Sequence, residues 1–317
     1  MDARPNTVIS PALQKLFDNS WDKFRIILFS APFGMGKTAT ARALLEKIKT
    51  SFYSAGEDNS LYTPPPPDCQ AVVVDDLHLL KDAGAQGQLC DWIRENPDKH
   101  FLLLSRGVVP GWLMPFRFEG LLTVIDAQRL FLDRESVRRV LCAGGAAVSE
   151  AELSAILRDT KGYPVVVSGL CRYLRDGAPY DGETADAMRR ELFHFMEEAV
   201  FRPLPTPLRQ LLMNLAPFDG FDPELARMVS GDNPVGDQLS AILHDASMLE
   251  FDGLEQYRFR PIFRQFLLWE MNQLYTDGEQ RAIYGRAGLY YELRDDYPWP
   301  WTAMPTAATT RRSLSFW

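Results

Sequence analysis

Residues 30–39 read SAPFGMGKTA, a short segment with two glycines just before Lys37 and Thr38. It differs by one letter from the phosphate-binding loop, a glycine, any four residues and then Gly-Lys-Ser/Thr, because Ala31 replaces the first glycine. The apolar run FRIILF at residues 24–29 is typical of a buried parallel strand, and residues 38–48 have the apolar spacing of a helix. Since the motif requires a strand, a glycine-rich turn and a helix, the sequence predicts a phosphate-binding loop.

The residue types of this loop suit the phosphates of a nucleotide. We expect the backbone N–H groups of residues 33–38 to surround the phosphates, with the positive end of the following helix facing them. Lys37 would reach the β- and γ-phosphates and assist phosphoryl transfer, and the Thr38 hydroxyl would bind Mg²⁺. The predicted nucleotide-binding residues of the loop are Phe33, Gly34, Met35, Gly36, Lys37, Thr38 and Ala39.

A second motif, AVVVDDLH at residues 71–78, is a β-branched run that ends in two carboxylates. This is the Walker B form, in which a buried strand delivers a carboxylate to the sheet edge that carries the phosphate loop. We expect Asp75 to hold Mg²⁺ directly or through water. Asp76 is the catalytic candidate beside it, at the position where fast ATPases often have glutamate. Because aspartate is one methylene shorter, the sequence predicts slow hydrolysis.

Two further apolar runs complete a predicted parallel sheet. FLLLSR at residues 101–106 ends in Arg106, a candidate phosphate sensor whose alternative is a solvated strand end. LTVI at residues 122–125 predicts the last strand. The segment 49–70 contains four consecutive prolines and leaves little room for a crossover helix, so we expect a thin flank on that side of the sheet.

The second half of the chain has helical spacing with one late hairpin. Ser149 and Glu152 form a capping box, and the helix it opens should stop before the Gly-Tyr-Pro at 162–164. Helices over 185–273 with a hairpin near 249–260 predict a winged helix. Residues 201–275 contain six arginines, no lysine and ten acidic residues, a net charge of −4. Because contacts to DNA phosphates need an excess of basic residues, we expect this domain to act as an intramolecular clamp and not to bind DNA.

Composition narrows the classes of protein further. The 317 residues carry a net charge of −8, which predicts poor nucleic-acid binding by this chain. There is no apolar run of membrane-spanning length and no signal-peptide pattern at the first residues. The four cysteines are scattered without metal-type pairs, which favours reduced thiols and a cytoplasmic location.

The motifs APFGMGKTA, AVVVDDLHLL, FLLLSR and TKGYP, in this order, resemble the STAND class, the signal-transduction ATPases with numerous domains. Within that class they resemble the large LuxR-type transcription activators related to the maltose-regulon activator, and the resemblance covers residues 9 to about 296. The resemblance implies an α/β P-loop NTPase domain with a parallel sheet, an all-α lid, a winged-helix domain and helical sensor repeats before a C-terminal DNA-binding domain. It also implies ATP/ADP and Mg²⁺ as cofactors, and self-assembly into a homo-oligomer in the ATP state.

The family's residues are carried over where the motifs match. Gly162 and Pro164 belong to the Gly-aromatic-Pro element that faces the nucleotide from the lid, although a plain corner between two helices is the alternative. In YRFRPIFRQF, Arg260 stands where the family commonly has a nucleotide-contacting histidine, so it either replaces that contact or lies on the surface. The predicted domains are a linker helix at 1–20, the P-loop domain at 21–132, the lid at 133–184, the winged helix at 185–275, the start of a TPR-like helical repeat at 276–297 and a tail at 298–317.

The predicted function is a slow ATPase in which ADP and ATP act as a switch between a closed and an open state. Two alternatives stay open: a P-loop kinase or motor ATPase, and an adaptor remnant whose pocket is empty, which Ala31 and the thin flank would favour. We expect nucleotide as the partner, no membrane contact, and no DNA binding without the family's C-terminal domain.

The tail WPWTAMPTAATTRRSLSFW, residues 299–317, interrupts the helical pattern. Because Trp is always TGG and Met always ATG, codons started at third bases read Ala across Trp299-Pro300, Asp across Trp301-Thr302 and Ala across Met304-Pro305. That frame continues a helical repeat, so the sequence predicts a frameshifted or truncated regulator. The alternative is a genuine short protein with a disordered tail.

Overall fold

The computed structural model describes residues 7–56, 61, 63–106, 109–175, 177–231, 249–251 and 256–294. The chain divides into two units, residues 1–190 and 191–317, and each is described by itself. Within the described residues, no helix combines the length and apolar character that a membrane span requires. The predicted frameshifted tail lies outside the described residues.

The first unit is built on a parallel sheet, as the sequence predicted, and the sheet has five strands. Its strands are β1 Ile26–Ser30, β2 Thr50–Ser54, β3 Ala71–Asp75, β4 His100–Ser105 and β5 Leu122–Asp126, in the order β2-β3-β4-β1-β5. The register pairs Ser30 with both Ser105 and Asp126, and Ser54 with Asp75. The carboxyl ends of all five strands therefore share one edge of the sheet.

Helices cover both faces of this sheet, which explains why its central strands are continuous apolar runs. They are α1 Pro11–Trp21, α2 Lys37–Leu44, α3 Ala83–Glu95 and the short α4 Met114–Phe118. Because successive strand residues face opposite sides, Ile26 and Leu28 pack with α3, whereas Ile27 and Phe29 pack with α1 and α2. Full burial of each such side chain contributes about 1.5–3 kcal/mol.

The edge strand β2 is covered less than its neighbour β3. No residue of β2 is fully buried, and Phe52 is 36% exposed beneath the guanidinium of Arg42. Among the described residues between β2 and β3 no α-helix occurs. The connection through the four prolines is anchored by hydrogen bonds instead, because the buried ammonium of Lys99 donates to Pro67 O at 2.9 Å and Cys69 O at 3.0 Å.

Four helices follow the sheet: α5 Arg134–Ala143, α6 Glu150–Thr160, α7 Pro164–Tyr173 and α8 Gly182–Met196. The predicted capping box is formed, with Ser149 and Glu152 each capping the other's backbone. The helix α6 ends before Gly162, whose φ of 74° is left-handed and whose added Cβ would lie 2.1 Å from Leu132 O. Only glycine fits there, and Pro164 then starts α7 as expected.

The second unit contains helices with one antiparallel hairpin. A π-helical turn Glu197–Phe201 is followed by α9 Thr206–Leu215, α10 Pro223–Ser230, β6 Leu249–Phe251, β7 Tyr257–Phe259, α11 Pro261–Leu274 and α12 Asp277–Leu293. The hairpin pairs Leu249 with Phe259, and Phe221 bridges to Tyr257. Its core is aromatic: Phe201 and Phe263 lie against the fully buried Phe266, and Phe259 packs on Phe263.

The helix α12 packs along α10 through polar contacts at both ends. Near the start of α10, Asp222 accepts hydrogen bonds from Tyr290 Oη at 2.6 Å and Arg294 Nη1 at 2.8 Å. Near its end, the guanidinium of Arg286 donates to Val229 O at 2.9 Å. Elsewhere on α12, Leu289 and Leu293 are 53% and 75% exposed. The segment predicted as a half-repeat is thus packed on one side.

Candidate nucleotide-binding site

The predicted phosphate loop lies at the shared carboxyl edge, between the end of β1 and the start of α2. Gly34 and Gly36 have φ of 76° and 72°, the left-handed region that glycine adopts without strain. Ala31 is buried, does not have positive φ, and its N–H donates to Ser105 O at 3.2 Å. Alanine at the first position of the motif is therefore accommodated in the loop.

Four successive carbonyl groups of the loop accept hydrogen bonds. Lys37 Nζ donates to Ala31 O at 2.8 Å and Pro32 O at 2.9 Å. The next two carbonyls are bonded from the start of α7: the Tyr163 hydroxyl donates to Phe33 O, and the Val165 N–H donates to Gly34 O at 3.0 Å. Lys37 therefore bonds the first two carbonyls, and the start of α7 bonds the other two.

The position of Lys37 lowers its pKa to about 8, chiefly because burial disfavours the ammonium and secondly because Arg106 is near. The carboxylates of Asp75 and Asp76 act in the opposite direction. An anion placed in the loop would favour the charged amine, so this lysine is suited to bind phosphate.

The two predicted metal ligands are in contact. Thr38 Oγ1 donates to Asp75 Oδ2 at 2.5 Å, and Asp75 Oδ1 accepts from the Asp76 N–H at 2.8 Å. No group of three or more His, Cys, Asp and Glu side chains that could hold a metal occurs in the described part of the chain. A hydroxyl and a carboxylate are hard oxygen ligands that suit Mg²⁺, whose other ligands are commonly water and phosphate.

Beside this pair, Asp76 adopts φ of 52° and faces two basic side chains. Its Oδ1 lies 3.8 Å from Arg106 Nη2 and 3.9 Å from His78 Nδ1. The guanidinium of Arg106 also lies 5.4 Å from the centre of the Phe33 ring. The structure thus brings Arg106 to the loop, and it adds His78, which no sequence pattern marks as a site residue.

A cavity of about 120 Å³ adjoins the loop, and Gly36 and Pro164 both line it. A Cβ added to Gly36 would lie 3.9 Å from Pro164 Cβ. Other lining residues come from distant segments without a recognisable motif, and Arg139 holds one of these segments by donating to Ile9 O at 3.2 Å. The lining residues missed by the sequence interpretation include Thr7, Val8, Arg129, Phe131 and Ser168.

The remaining predicted contact, Arg260, lies immediately before α11 in the second unit. Its role at the nucleotide therefore stays a prediction. The predicted helix over residues 38–48 also differs in detail, because α2 spans Lys37–Leu44 and residues 45–48 form a turn closed by the Ile48 N–H to Leu45 O bond of 2.9 Å.

Comparison with known proteins gives a match to one family model and several solved structures of similar fold. Residues 196–279 match the family model of the MalT winged helix domain. A Walker-type ATPase of Pyrococcus abyssi is similar in fold, with a TM-score of 0.61 and 14% identity over 84% of this chain and 99% of that one. The search among curated protein sequences gave no match.

Two other solved structures are more distant. A STAND protein with a tetratricopeptide repeat sensor from Pyrococcus horikoshii gives a TM-score of 0.39 and 14% identity, over 93% of this chain and 46% of that one. The RuvB Holliday junction branch migration motor of Thermotoga maritima gives 0.47 and 15% identity, over 83% of this chain and 97% of that one.

Proposed function

We propose that the chain is a nucleotide switch of a LuxR-type regulator of the STAND class, because residues 196–279 match the MalT winged helix domain and the chain is similar in fold to a Walker-type ATPase. It binds ATP and ADP with Mg²⁺ and hydrolyses ATP slowly. The observation that carries the proposal is the contact between Thr38 and Asp75 beside Lys37, where the glycine-rich loop leads into α2. Three side chains from two motifs meet where phosphoryl chemistry needs them.

Each loop residue has a role in this proposal. Lys37 exchanges the carbonyls of Ala31 and Pro32 for phosphate oxygens, and the N–H groups of residues 33–38 surround the anion. Thr38 and Asp75 would hold Mg²⁺, which when bound neutralises charge on the phosphates. The cavity beside Gly36 and Pro164 receives the base, with Met35 and Ala39 in its wall.

Slow turnover is supported by the surroundings of Asp76. As the candidate base it is one methylene shorter than glutamate, and its Oδ1 lies 3.8 Å from Arg106 Nη2, so part of the carboxylate faces a cation rather than an attacking water. Arg106 in turn is placed to sense the phosphate, being next to both Asp76 and Phe33. In this proposal Gly162 and Pro164 contact the nucleotide from the lid, and Arg260 contacts it from the winged-helix domain, so that both domains respond to the nucleotide.

A nucleotide-free adaptor is the second candidate. The less covered strand β2 is the observation in its favour. Ala31 no longer supports it, because the loop accommodates alanine. Nucleotide binding by the wild-type chain separates the two candidates.

The test is calorimetry of ADP and ATP with Mg²⁺ against the full chain and Lys37→Ala. We expect the variant to lose about 100-fold in affinity, because charge-assisted bonds to phosphate are lost. Lys47→Ala is the matched control, since Lys47 is exposed just after α2. Absence of binding by the wild type, or equal affinity of Lys37→Ala, would contradict the proposed function.

A further inference from the structure

The lid contacts the phosphate loop through backbone carbonyls. The Tyr163 hydroxyl and the Val165 N–H bond the carbonyls of Phe33 and Gly34, and the side chain of Val165 closes over the same glycine. A Cβ on Gly34 would lie 2.6 Å from Val165 Cγ1. The lid is therefore seated directly on the loop.

Peptide geometry gives these two bonds a consequence for the loop's amides. In a trans peptide the carbonyl and the following N–H point in opposite directions, and the chain has no cis peptide among its described residues. When the carbonyls of Phe33 and Gly34 point at the lid, the N–H groups of Gly34 and Met35 point away from it. Those are two of the amides expected to bind phosphate.

Without the lid these two peptide planes would be free to turn. Gly34 has φ of 76°, and glycine passes between left- and right-handed conformations at little cost. No side chain of its own can hold it, so external bonds must select its conformation. The lid supplies both donors from the start of one helix, residues 163 and 165.

We propose that Tyr163 is a positioning residue for phosphate binding, whose hydroxyl, together with the Val165 N–H, holds the Gly34 and Met35 amides in their anion-binding orientation. The inference rests on the proposed function and adds a residue to it. Gly162 places Tyr163, because Leu132 N donates to Gly162 O at 2.8 Å and leaves no room for a side chain there. By reciprocity, a phosphate bound in the loop stabilises the docked lid.

The test is Tyr163→Phe in the full chain, which removes the hydroxyl and keeps the ring beside Phe131. Tyr180→Phe is the matched control, because the Tyr180 hydroxyl donates to Asp159 at 2.9 Å in the same set of helices without touching the loop. We expect Tyr163→Phe to weaken ADP binding about 3- to 10-fold, the effect of one neutral hydrogen bond, and Tyr180→Phe to leave it within twofold.

Hydrogen exchange at saturating ADP separates positioning from a general loss of lid structure. With occupancy equal in all proteins, the amides of Gly34 and Met35 should exchange faster in Tyr163→Phe than in the wild type and in Tyr180→Phe. In the nucleotide-free proteins the Val165 amide should follow the same order, because it is bonded to the loop.

The outcomes are distinguishable. If the wild type binds ADP but Tyr163→Phe matches it in affinity and exchange, the inference is overturned and the proposed function stands. Equal losses in Tyr163→Phe and Tyr180→Phe also overturn the inference. Absence of ADP binding by the wild type overturns both.

Discussion

Asp75 at the phosphate loop and Asp222 at the α10–α12 junction each accept hydrogen bonds on both carboxylate oxygens, but from different donors. Asp75 takes the Asp76 N–H and the Thr38 hydroxyl, which are neutral and close in the fold to the loop. Asp222 takes the Leu225 N–H, the Tyr290 hydroxyl and the guanidinium of Arg294. Both carboxylate oxygens of Asp222 therefore accept hydrogen bonds from the protein, and its charge is paired with Arg294. The carboxylate at the loop has hydroxyl and amide donors that can share it with a cation.

The pKa of Asp222 shows how complete its pairing is. Burial raises this pKa, but the hydrogen bonds from Tyr290 and Leu225 and the charge of Arg294 lower it more, so the net shift is downward. A carboxyl whose pKa is lowered by folding stabilises the folded state above its ordinary value of 3.8 and loses that contribution as the pH falls. Asp222 is therefore a structural charge, whereas the proposed role of Asp75 is to bind metal.

The largest expected effect comes from breaking the structural carboxylate. Asp222→Asn keeps the cap on Leu225 but turns an amide toward Tyr290 and Arg294, so we expect the second unit to lose about 2–3 kcal/mol in urea unfolding. Asp219→Asn is the control, since its carboxylate is 83% exposed in its ion pair with Arg264, and such pairs contribute about 0–1 kcal/mol. Equal effects of the two variants would remove the distinction between them.

The next effect tests the proposed metal carboxylate. Asp75→Asn keeps an oxygen for Thr38 but removes the charge, so Mg²⁺ should strengthen ATP binding about 10-fold less than in the wild type, with little change in unfolding. Asp126→Asn, at the end of β5 on the same sheet edge, should leave the Mg²⁺ dependence unchanged. An unchanged Mg²⁺ dependence in Asp75→Asn would place the metal elsewhere.

The smallest effect concerns protons at Lys37. Its pKa of about 8 in the free protein should rise when phosphate binds, since an anion favours the ammonium. When ADP binds, Lys37 should therefore take up a proton above pH 8, at most one per site, and none near pH 6. The affinity for ADP should fall as the pH rises through 8. Calorimetry in buffers of different ionisation enthalpy measures this uptake. Lys37→Ala abolishes it if the lysine is its source.

The sequence predicted the parts of the fold that local patterns specify. The strands through Leu28, Val73 and Leu103 are buried on both faces, so their apolar runs were unambiguous. The meeting of Thr38 and Asp75 followed because parallel strands end at one edge. The predicted helix after the loop was too long, since the turn at 45–48 buries Leu45 as a helix would and cannot be told from one by spacing.

What escaped prediction depends on contacts between distant residues. The cavity takes Val8 and Phe131 from loops, where no periodicity marks a function. Tyr163 is the middle residue of the Gly-Tyr-Pro motif, and no local pattern shows that its hydroxyl bonds the carbonyl of Phe33. Likewise, the bond from Tyr290 to Asp222 spans 68 residues, and a tyrosine in a helix of small and aromatic residues suggests only packing.

The polar contacts between α10 and α12 also have a mechanical meaning. Arg286, Tyr290 and Arg294 are spaced about one turn apart along α12, and they donate to the Val229 carbonyl at one end of α10 and to its capping aspartate at the other. A helix fastened to another at both ends cannot slide or pivot on it without breaking charge-assisted bonds. The two helices are therefore coupled mechanically: a displacement of α12 pulls on α10, which lies within the residues that match the winged-helix model.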